Sequence, residues 1–374
     1  MRAFFYVQHL LGIGHLKRAA TLARALREGG FEVTLASGGV PVAGLDVDVQ
    51  LPPAGAADAS FRTLVDEKGE PVDDEWKRRR AARLLDAWRA FHDGGERGAL
   101  VIELFPFGRR QMRFELLPLL EDAQRVTQPP LVVSSVRDLV QAKPAREDET
   151  LALVERFFDR ILVHGDRRLA SFERTFRLAD RLAGRLHYTG YVVDEQPVAS
   201  SAGAGEVLVS AGGGAVGARL LQTALDARPH TSLREATWRL LAGLNCSERE
   251  FRALAEHAGR GVIVERSRAD FPQMLANCAV SVSQAGYNTV AEVLKARARA
   301  VLVPFAGEGE SEQMLRARLL AERGALQMVE ESMLTRETLA AAINRAVRGP
   351  RAQSATVDLD GAQRTAELLR RWVA

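Results

Sequence analysis

The sequence is poor in cysteine, in long apolar runs and in net charge. Only two of its 374 residues are cysteines, Cys246 and Cys278, and their spacing fits neither a metal site nor a disulfide scaffold. No apolar run approaches the roughly 18 residues that a membrane-spanning helix needs. The 51 basic and 48 acidic residues leave a net charge of +3. Composition therefore gives no support to nucleic-acid binding.

Lysine is also scarce, because only 5 of the 51 basic residues are lysines. Such a bias is typical of genomic codon usage, so an isolated arginine cluster carries little weight as a recognition device. The chain opens on a strand-like segment without a signal-peptide pattern. We expect a cytoplasmic protein in a reducing compartment, and contact with the inner face of the membrane stays an open alternative.

What the sequence does contain is a globular composition, 47% hydrophobic and 26% charged, in which strand and helix patterns alternate. At roughly 150 residues per domain, its length predicts two domains. The buried strand Arg2–Val7 is followed by a glycine-containing loop, a helix over Leu16–Glu28 and a strand over Phe31–Ala36. The pattern recurs with a strand over Glu206–Ser210 and a helix over Ala218–Ala227. This alternation predicts an α/β protein with two Rossmann-like domains facing each other across a cleft.

The remaining patterns place the domain boundaries. Further strands are predicted at 99–103, 131–134, 160–163, 238–242, 261–265, 279–283 and 300–304, and further helices at 248–257, 289–296 and 312–323. Small residues over 197–205 predict a linker between a first domain of residues 1–190 and a second of residues 206–358. We expect a C-terminal helix within 360–374 to pack back on the first domain.

The segment Asp74–His92 has two interpretations. Trp76, Trp88 and Phe91 recur at helical spacing, and a basic run lies at 77–80. An amphipathic helix that packs its aromatic stripe explains this pattern. Alternatively, the helix presents a surface that meets a lipid or an anionic acceptor.

The glycine loops do not predict an NAD site. Gly212, Gly214 and Gly217 match G-x-G-x-x-G between a strand and a helix, but no acid follows the next strand, which ends at Ala242, to hold a ribose. The first loop has Lys17 where the third glycine would stand. Small residues still let backbone N–H groups approach an anion. We predict a diphosphate-proximal loop at Gly212, Gly213 and Gly214, whereas Gly217 serves either this loop or a tight turn.

The richest segment follows the strand that ends at Ser283. A loop leads to a helix predicted to start near Thr289, whose N-terminus suits an anion. Glu292 either completes a capping box with Thr289 or faces the cleft and accepts hydrogen bonds from both hydroxyls of a ribose. After the next strand, the carboxylate of Glu312 and the carboxamide of Gln313 stand where ligands bind in α/β sheets, and together they suit sugar hydroxyls.

These residues resemble the nucleotide-sugar site of GT-B glycosyltransferases, the MurG-like and UDP-glycosyltransferase-like superfamily. The matching motif positions are Ser283, Gly286, Thr289, Glu292, Pro304, Phe305, Glu312 and Gln313. The glycine loop at 210–217 resembles the one that opens the donor domain, and Gly12 and Gly14 lie in a loop that resembles the one opening the acceptor domain. The first loop departs from the G-G-x-x-G-G-H pattern of the peptidoglycan enzyme, so the acceptor, a small molecule or a lipid-linked one, stays open.

The resemblance implies a GT-B fold and a nucleoside diphosphate sugar, with UDP favoured, as the donor. It implies base recognition by backbone near Arg266, Glu292 on the ribose, and Glu312 and Gln313 on the sugar. The full predicted donor site is Gly212, Gly213, Gly214, Arg266, Gly286, Asn288, Thr289, Glu292, Glu312 and Gln313. No cofactor is expected, and no D-x-D motif indicates a metal.

Transfer with inversion needs a base that takes the proton of the acceptor hydroxyl. His15 is the main candidate because it follows the first glycine loop at a helix start and has a suitable reference pKa. His9, in the same loop, is a second candidate. His164 ends a strand and either faces the cleft or belongs to the core.

Glu103 also ends a strand. It is predicted either to bind or help deprotonate the acceptor, or to form a loop salt bridge with Arg109 or Arg110. The nearby Phe105 and Phe107 either line an acceptor groove or pack.

The leading hypothesis is an inverting, metal-independent glycosyltransferase. The second is a nucleotide-sugar hydrolase of the same fold, because Gly12, Gly14, His15 and Arg18 fit a G-x-G-H-x-x-R pattern that presents the histidine to a water. The third is a non-catalytic protein that binds a nucleotide sugar.

Overall fold

The computed structural model describes residues 1–10, 12–57, 63–93, 97–194, 200–212, 217–243, 246–305, 307, 311–351 and 357–374. The chain divides into two compact units. The first unit comprises residues 1–192 together with 360–374, and the second unit comprises residues 193–359.

Both units alternate strands with helices. The strands of the first unit are β1 (Arg2–Val7), β2 (Glu32–Ser37), β3 (Val49–Gln50), β4 (Gly55–Ala56), β5 (Leu64–Val65), β6 (Ala99–Glu103), β7 (Leu131–Arg137), β8 (Arg160–His164) and β9 (Leu186–Tyr188). Those of the second unit are β10 (Val207–Ser210), β11 (Trp238–Ala242), β12 (Val262–Arg266), β13 (Val280–Ser283), β14 (Ala300–Leu302) and β15 (Gln327–Met328).

The helices follow the same division, except that the last one returns to the first unit. The first unit has α1 (Gly14–Glu28), α2 (Asp74–His92), α3 (Arg113–Arg125) and α4 (Glu147–Phe157). The second unit has α5 (Ala218–Ala227), α6 (Glu248–His257), α7 (Phe271–Asn277), α8 (Tyr287–Lys295), α9 (Glu312–Glu322) and α10 (Arg336–Arg348), and α11 (Gly361–Val373) closes the chain.

Each unit is built on one large parallel sheet, and the two sheets order their strands in the same way, while β4 and β5 form a separate antiparallel pair. In the first unit the order is β3-β2-β1-β6-β7-β8-β9, and in the second it is β12-β11-β10-β13-β14-β15. In each sheet the opening strand has neighbours on both sides, so the crossover direction reverses between β1 and β6 and between β10 and β13. Ligands bind in such sheets beyond the carboxyl ends of the strands at this reversal. The fold therefore puts both glycine loops at the positions where ligands are expected.

The central strand of the first sheet is buried on both faces, as its near-continuous apolar sequence predicts. Phe4 packs on one face with Trp88 of α2, and their ring centroids lie 5.7 Å apart in an edge-to-face arrangement. Phe5 packs on the other face in a cluster with Leu22 of α1 and Leu369 of α11. The last helix is thus part of the core of the first unit, and the guanidinium of Arg370 also donates to the carbonyl of Gly29.

Helix α2 has the bounds that the aromatic spacing predicts, and its stripe is internal. Leu84 and Trp88 are fully buried and Phe91 nearly so, which supports the packing interpretation of this stripe. Arg80, the last residue of the basic run at 77–80, is fully buried as well. A signal for this exists, because Arg80, Leu84 and Trp88 share one helix face at a spacing of four residues. In the described part of the chain, no helix is both long and apolar enough to span a membrane.

Candidate active site

The loop after β1 is held in place by a buried arginine. Arg80 directs its five N–H groups at acceptors: Nε to Glu115 Oε2 at 2.7 Å, Nη1 to the carbonyls of Gly38 and Pro52 at 2.9 and 2.6 Å, and Nη2 to Gln8 Oε1 and Glu115 Oε1 at 2.5 and 3.0 Å. A Cβ on Gly38 would stand 2.0 Å from Arg80 Nη2, so only glycine leaves room for the guanidinium. Gln8 in turn donates to the carbonyl of His9 at 2.6 Å. A satisfied buried network of this kind fixes a loop conformation.

This loop delivers His15 to the first turn of α1. The helix begins at Gly14, two residues earlier than the sequence pattern predicts, so His15 is its second residue. Gly12 lies two residues before the start of the helix. Within the described chain, Ile13 provides no side-chain cap and the first turn holds no acid. The positive end of the helix dipole therefore lies beside His15.

Glu103 lies at the carboxyl end of β6, the neighbour of β1 in the sheet, and its side chain contacts His15 directly. His15 Nδ1 stands 2.8 Å from Glu103 Oε1, and Arg18, one turn further along α1, also donates to Oε1. The alternative of a salt bridge between Glu103 and Arg109 or Arg110 is wrong. Arg110 pairs with Glu149 instead, and Arg109 donates to the carbonyl of Gln8.

Glu103 is charged at neutral pH although it is fully buried. Burial raises its pKa, but the charge of Arg18 and the hydrogen bond from His15 outweigh that effect and lower the pKa of Glu103 to about 2. Because a carboxylate only accepts hydrogen bonds, His15 Nδ1 must carry the proton between them. The longer approach of Arg18 Nη2 to this nitrogen, 3.3 Å, is then a contact and not a hydrogen bond.

His15 itself is neutral. Burial and the charge of Arg109 lower its pKa well below the usual value, and Glu103 only partly offsets this shift. With Nδ1 protonated and the ring neutral, Nε2 carries a lone pair and is the acceptor nitrogen. The side chain keeps 15% of its surface exposed. The geometry therefore combines an oriented imidazole with a base nitrogen, which is the chemistry that proton abstraction requires.

A chain of buried hydrogen bonds reaches Glu103 from the other side. Ser135 Oγ lies 3.0 Å from Glu103 Oε2 and 2.9 Å from His164 Nε2, and His164 Nδ1 lies 2.9 Å from Thr189 Oγ1. Burial and the charge of Arg18 lower the pKa of His164 to about 3, so this ring is neutral. Since Glu103 can only accept, the hydroxyl of Ser135 donates to Glu103 and accepts from His164 Nε2–H. His164 Nδ1 is then the nitrogen without a proton, and the hydroxyl of Thr189 lies between it and the carbonyl of Gly190, 3.0 Å away.

This chain settles the position of His164, which is fully buried and not a cleft-facing residue. His9 is also enclosed, with Nε2 3.0 Å from the carbonyl of Val40. Of the two alternatives for the phenylalanines after β6, packing is correct. Phe105 is buried, and the ring of Phe107 meets Phe172 edge to face at 5.2 Å. Sequence reasoning missed Ser135 and Thr189, because neither residue belongs to a motif.

In the second unit, three loops that hold predicted donor-site residues emerge from adjacent strands. Ser210 pairs with Ser283, and Ser283 pairs with Leu302, so β10, β13 and β14 end at the same edge. Gly212, with φ 69°, adopts a left-handed conformation that favours glycine. Gly213 and Gly214 lie outside the described residues. A Cβ on Gly217 would stand 2.3 Å from the Cβ of Ala211, so this close approach alone accounts for a glycine at 217.

Helix α8 starts earlier than predicted, and this excludes the capping box. Gly286 occupies the N-cap, so Tyr287, Asn288 and Thr289 form the first turn, and the described residues supply no side-chain cap. Thr289 is therefore inside the helix and cannot cap it. Glu292 follows in the second turn with 9% of its surface exposed. The start of α8 thus directs backbone N–H groups toward the sheet edge.

Glu312 and Gln313 begin α9. Glu312 is buried, and Gln313 Oε1 accepts from the backbone N–H of Phe305 at 3.2 Å. Arg316, one turn further and also buried, donates to the carbonyl of Ala285 at 2.9 Å. These contacts connect α9 to the loops after β13 and β14. Sequence reasoning did not predict this contact of Arg316, because the residue belongs to no motif.

Arg266 ends β12, at the edge of the second sheet. Its guanidinium donates to the carbonyl of Cys246 at 2.6 Å and to Glu248 Oε2 at 3.0 Å. This side chain holds the start of α6, so base recognition near Arg266 would have to use the backbone, as the resemblance implies. Among the described residues, no three His, Cys, Asp or Glu side chains cluster so as to hold a metal ion.

Comparisons with known proteins identify relatives in sequence and in fold. Residues 208–369 match the glycosyltransferase family 28 C-terminal domain. The UDP-N-acetylglucosamine–N-acetylmuramyl-(pentapeptide) pyrophosphoryl-undecaprenol N-acetylglucosamine transferase of Anaeromyxobacter sp. (strain K) is 36% identical over 81 residues, which cover 22% of this chain. The match spans only 21% of the length of that relative.

Solved structures resemble the whole chain. The glycotransferase of kitacinnamycin superposes with a TM-score of 0.66 at 16% identity, covering 100% of this chain and 99% of the other. The spinosyn rhamnosyltransferase SpnG complexed with thymidine diphosphate superposes with a TM-score of 0.61 at 18% identity, covering 100% of both chains. The predicted fold, with two Rossmann-like domains of the GT-B type, is confirmed, and so is the predicted family resemblance.

Proposed function

We propose that this chain, which carries the glycosyltransferase family 28 C-terminal domain on a GT-B fold, transfers a sugar from a nucleoside diphosphate sugar to a hydroxyl acceptor. We further propose that transfer inverts the anomeric centre and needs no metal ion. The observation that carries the proposal is the neutral His15 held through Nδ1 by the charged Glu103.

In this mechanism the acceptor hydroxyl donates its proton to His15 Nε2 while its oxygen attacks the anomeric carbon. The bond between that carbon and the diphosphate breaks, and the nucleoside diphosphate leaves with the bonding electrons. Glu103 stabilises the imidazolium that forms and keeps the ring in the productive tautomer. Arg18 and Ser135 keep Glu103 ionised, since both donate hydrogen bonds to its carboxylate.

The charge on the leaving diphosphate is the main cost on the donor side. The backbone N–H groups at the start of α8 and the loop at Gly212 offer donors and a favourable dipole for it. We assign Glu292 to the ribose, and Glu312 and Gln313 to the sugar. Support comes from their place at the carboxyl edge of β13 and β14, beside the crossover reversal.

The relatives suggest the substrate classes. The name of the Anaeromyxobacter relative specifies a UDP sugar as donor and a pyrophosphoryl-undecaprenol acceptor, whereas the SpnG structure holds thymidine diphosphate. We propose UDP as the nucleotide of the donor. The acceptor is either a small molecule or a lipid-linked molecule. With a lipid-linked acceptor, the protein would work at the inner face of the membrane.

The decisive experiment combines binding with turnover. A ligand that binds only the native state raises the melting temperature, so a panel of nucleotides and nucleotide sugars identifies the donor. His15→Ala is expected to keep that shift and to lose about 10³-fold in turnover of the donor, measured as nucleoside diphosphate release. His257→Ala, an exposed histidine of α6, is the matched control. No shift with any diphosphate nucleotide would reject the donor site, and full turnover in His15→Ala would reject the base.

A nucleotide-sugar hydrolase is the second candidate, favoured by the G-x-G-H-x-x-R residues at the start of α1. His15 Nε2 would then activate a water and not an acceptor hydroxyl. Incubation of the donor without any acceptor separates the two functions. Rapid release of free sugar supports the hydrolase, whereas slow release supports the transferase.

A further inference from the structure

Arg109 lies close enough to the candidate base for its charge to act on His15. It follows β6, is partly buried and adopts a left-handed backbone conformation with φ 57°. Its Nε donates to the carbonyl of Gln8 at 2.7 Å. Throughout the described residues this is its only hydrogen bond, and no carboxylate comes within ion-pair distance. Among the described residues, no acceptor therefore holds either terminal nitrogen of the guanidinium.

Both histidines of the first glycine loop and a second arginine lie near Arg109. The charge of Arg109 lowers the pKa values of both His9 and His15, which places the guanidinium near both rings. Arg137, at the carboxyl end of β7, lies close enough to oppose it, and burial together with this like charge lowers the pKa of Arg109 to about 10. Glu103 is the nearby acid, and Arg18 already pairs with it.

A partly buried cation next to a like charge is costly unless an anion compensates it. A protein that only needed a tight turn after β6 would gain from glycine at a left-handed position. An arginine there offers a planar fork of donors, which matches the oxygens of a phosphate or a carboxylate. The start of α1, beside His15, adds the positive end of a helix dipole.

We propose that Arg109, supported by Arg137, binds an anionic group of the acceptor, a phosphate or a carboxylate, beside the hydroxyl that His15 deprotonates. The proposal rests on the proposed function, because it names the chemical class of its acceptor. An acceptor group is favoured over the donor diphosphate because Arg109 belongs to the first unit, whereas the donor residues belong to the second. By binding this anionic group, the subsite positions the acceptor hydroxyl next to His15 Nε2. Arg109 therefore affects mainly the binding of the acceptor.

The test uses inorganic phosphate as the probe and the full-length protein saturated with UDP, so that the diphosphate site is already filled. Phosphate is titrated at constant ionic strength, and binding is followed by calorimetry and by the ring signals of His9 and His15 in NMR spectra. Arg109→Gln is compared with wild type and with Arg78→Gln, an exposed arginine of α2. Arg109→Lys serves as a second variant that keeps the charge but loses the fork. UDP affinity is measured for every protein.

We expect phosphate to shift both histidine signals in wild type and in Arg78→Gln. Arg109→Gln should weaken phosphate binding at least about tenfold and Arg109→Lys less, with UDP affinity unchanged. Equal phosphate affinity in wild type and Arg109→Gln would overturn the subsite. Competition between UDP and phosphate, or loss of UDP affinity in Arg109→Gln, would assign the arginine to the donor and overturn the acceptor assignment. If the wild-type protein bound phosphate through Arg109 but bound no nucleotide, the proposed function would be rejected. Arg109 would then belong to an anion site without a role in sugar transfer.

Discussion

The two units present their candidate residues in different ways. In the first unit, His15 and Glu103 are joined to each other by side-chain hydrogen bonds, and a buried chain through Ser135 supports them. In the second unit, the side chains of Arg266 and Gln313 bind backbone groups of neighbouring loops. At these two positions of the predicted donor site, a side chain holds neighbouring backbone in place.

Under the proposed function, two kinds of chemistry would account for this difference. A base must keep one tautomer and one orientation, and only directional side-chain bonds with satisfied partners provide that. A diphosphate carries charge over many oxygens, and backbone N–H groups at a helix start satisfy it without a particular side chain. We infer that turnover depends steeply on single side chains of the first unit, whereas donor affinity is spread over several groups of the second.

The largest loss of turnover should come from Glu103→Gln, which removes the charged partner of His15 in the first unit. The amide keeps the shape but removes the charge that holds His15 Nδ1–H and stabilises the imidazolium. We expect kcat to fall by about 10²–10³-fold with donor affinity unchanged, measured by steady-state kinetics and calorimetry.

Glu149→Gln is the matched control, because Glu149 also pairs with arginines in the first unit but lies on the surface. Its kcat should equal that of wild type. If Glu103→Gln kept a wild-type kcat, the carboxylate would not orient the base.

A smaller effect is expected from Glu292→Gln in the second unit. Losing a charged acceptor for the ribose hydroxyls should raise the Kd of the donor about tenfold, while kcat of the bound complex changes little. Calorimetric titration with the nucleotide sugar measures this directly. Glu256→Gln, an exposed acid of α6, should bind the donor like wild type, and an unaltered Kd in Glu292→Gln would remove this residue from the donor site.

The smallest effect concerns stability and pH in the first unit. The folded protein holds the pKa of His164 at about 3, below the unfolded value of about 6.5. The unfolded chain therefore binds the extra proton, and stability falls as the pH drops below 6.5. The slope from one such group is at most about 1.4 kcal/mol per pH unit.

His164→Gln removes this titration, so its free energy of unfolding should fall less steeply between pH 6.5 and 5. Urea unfolding at several pH values tests the difference, and this window lies above the range in which Glu103 titrates. His257→Gln should keep the wild-type slope. Parallel pH profiles for wild type and His164→Gln would mean that His164 is not held neutral.

Several parts of the site were predictable because they depend on local sequence. The strand that ends at Glu103, the bounds of α2 and the glycine loop before His15 all follow from apolar periodicity and turn residues. Errors arose at helix starts. Both α1 and α8 begin two residues earlier than predicted. At α8, the earlier start places Thr289 inside the helix, where it cannot serve as the cap.

The sequence by itself determined the alternation of strands and helices, the two glycine loops and the residue types that follow each strand, because these depend on near neighbours in the chain. Only the tertiary structure decided that Glu103 meets His15 and not Arg109 or Arg110, and that His164 supports the carboxylate through Ser135. Those contacts join residues from separate strands. They require the order of the strands and the positions of their side chains to within hydrogen-bond distance, and no local pattern specifies either of these.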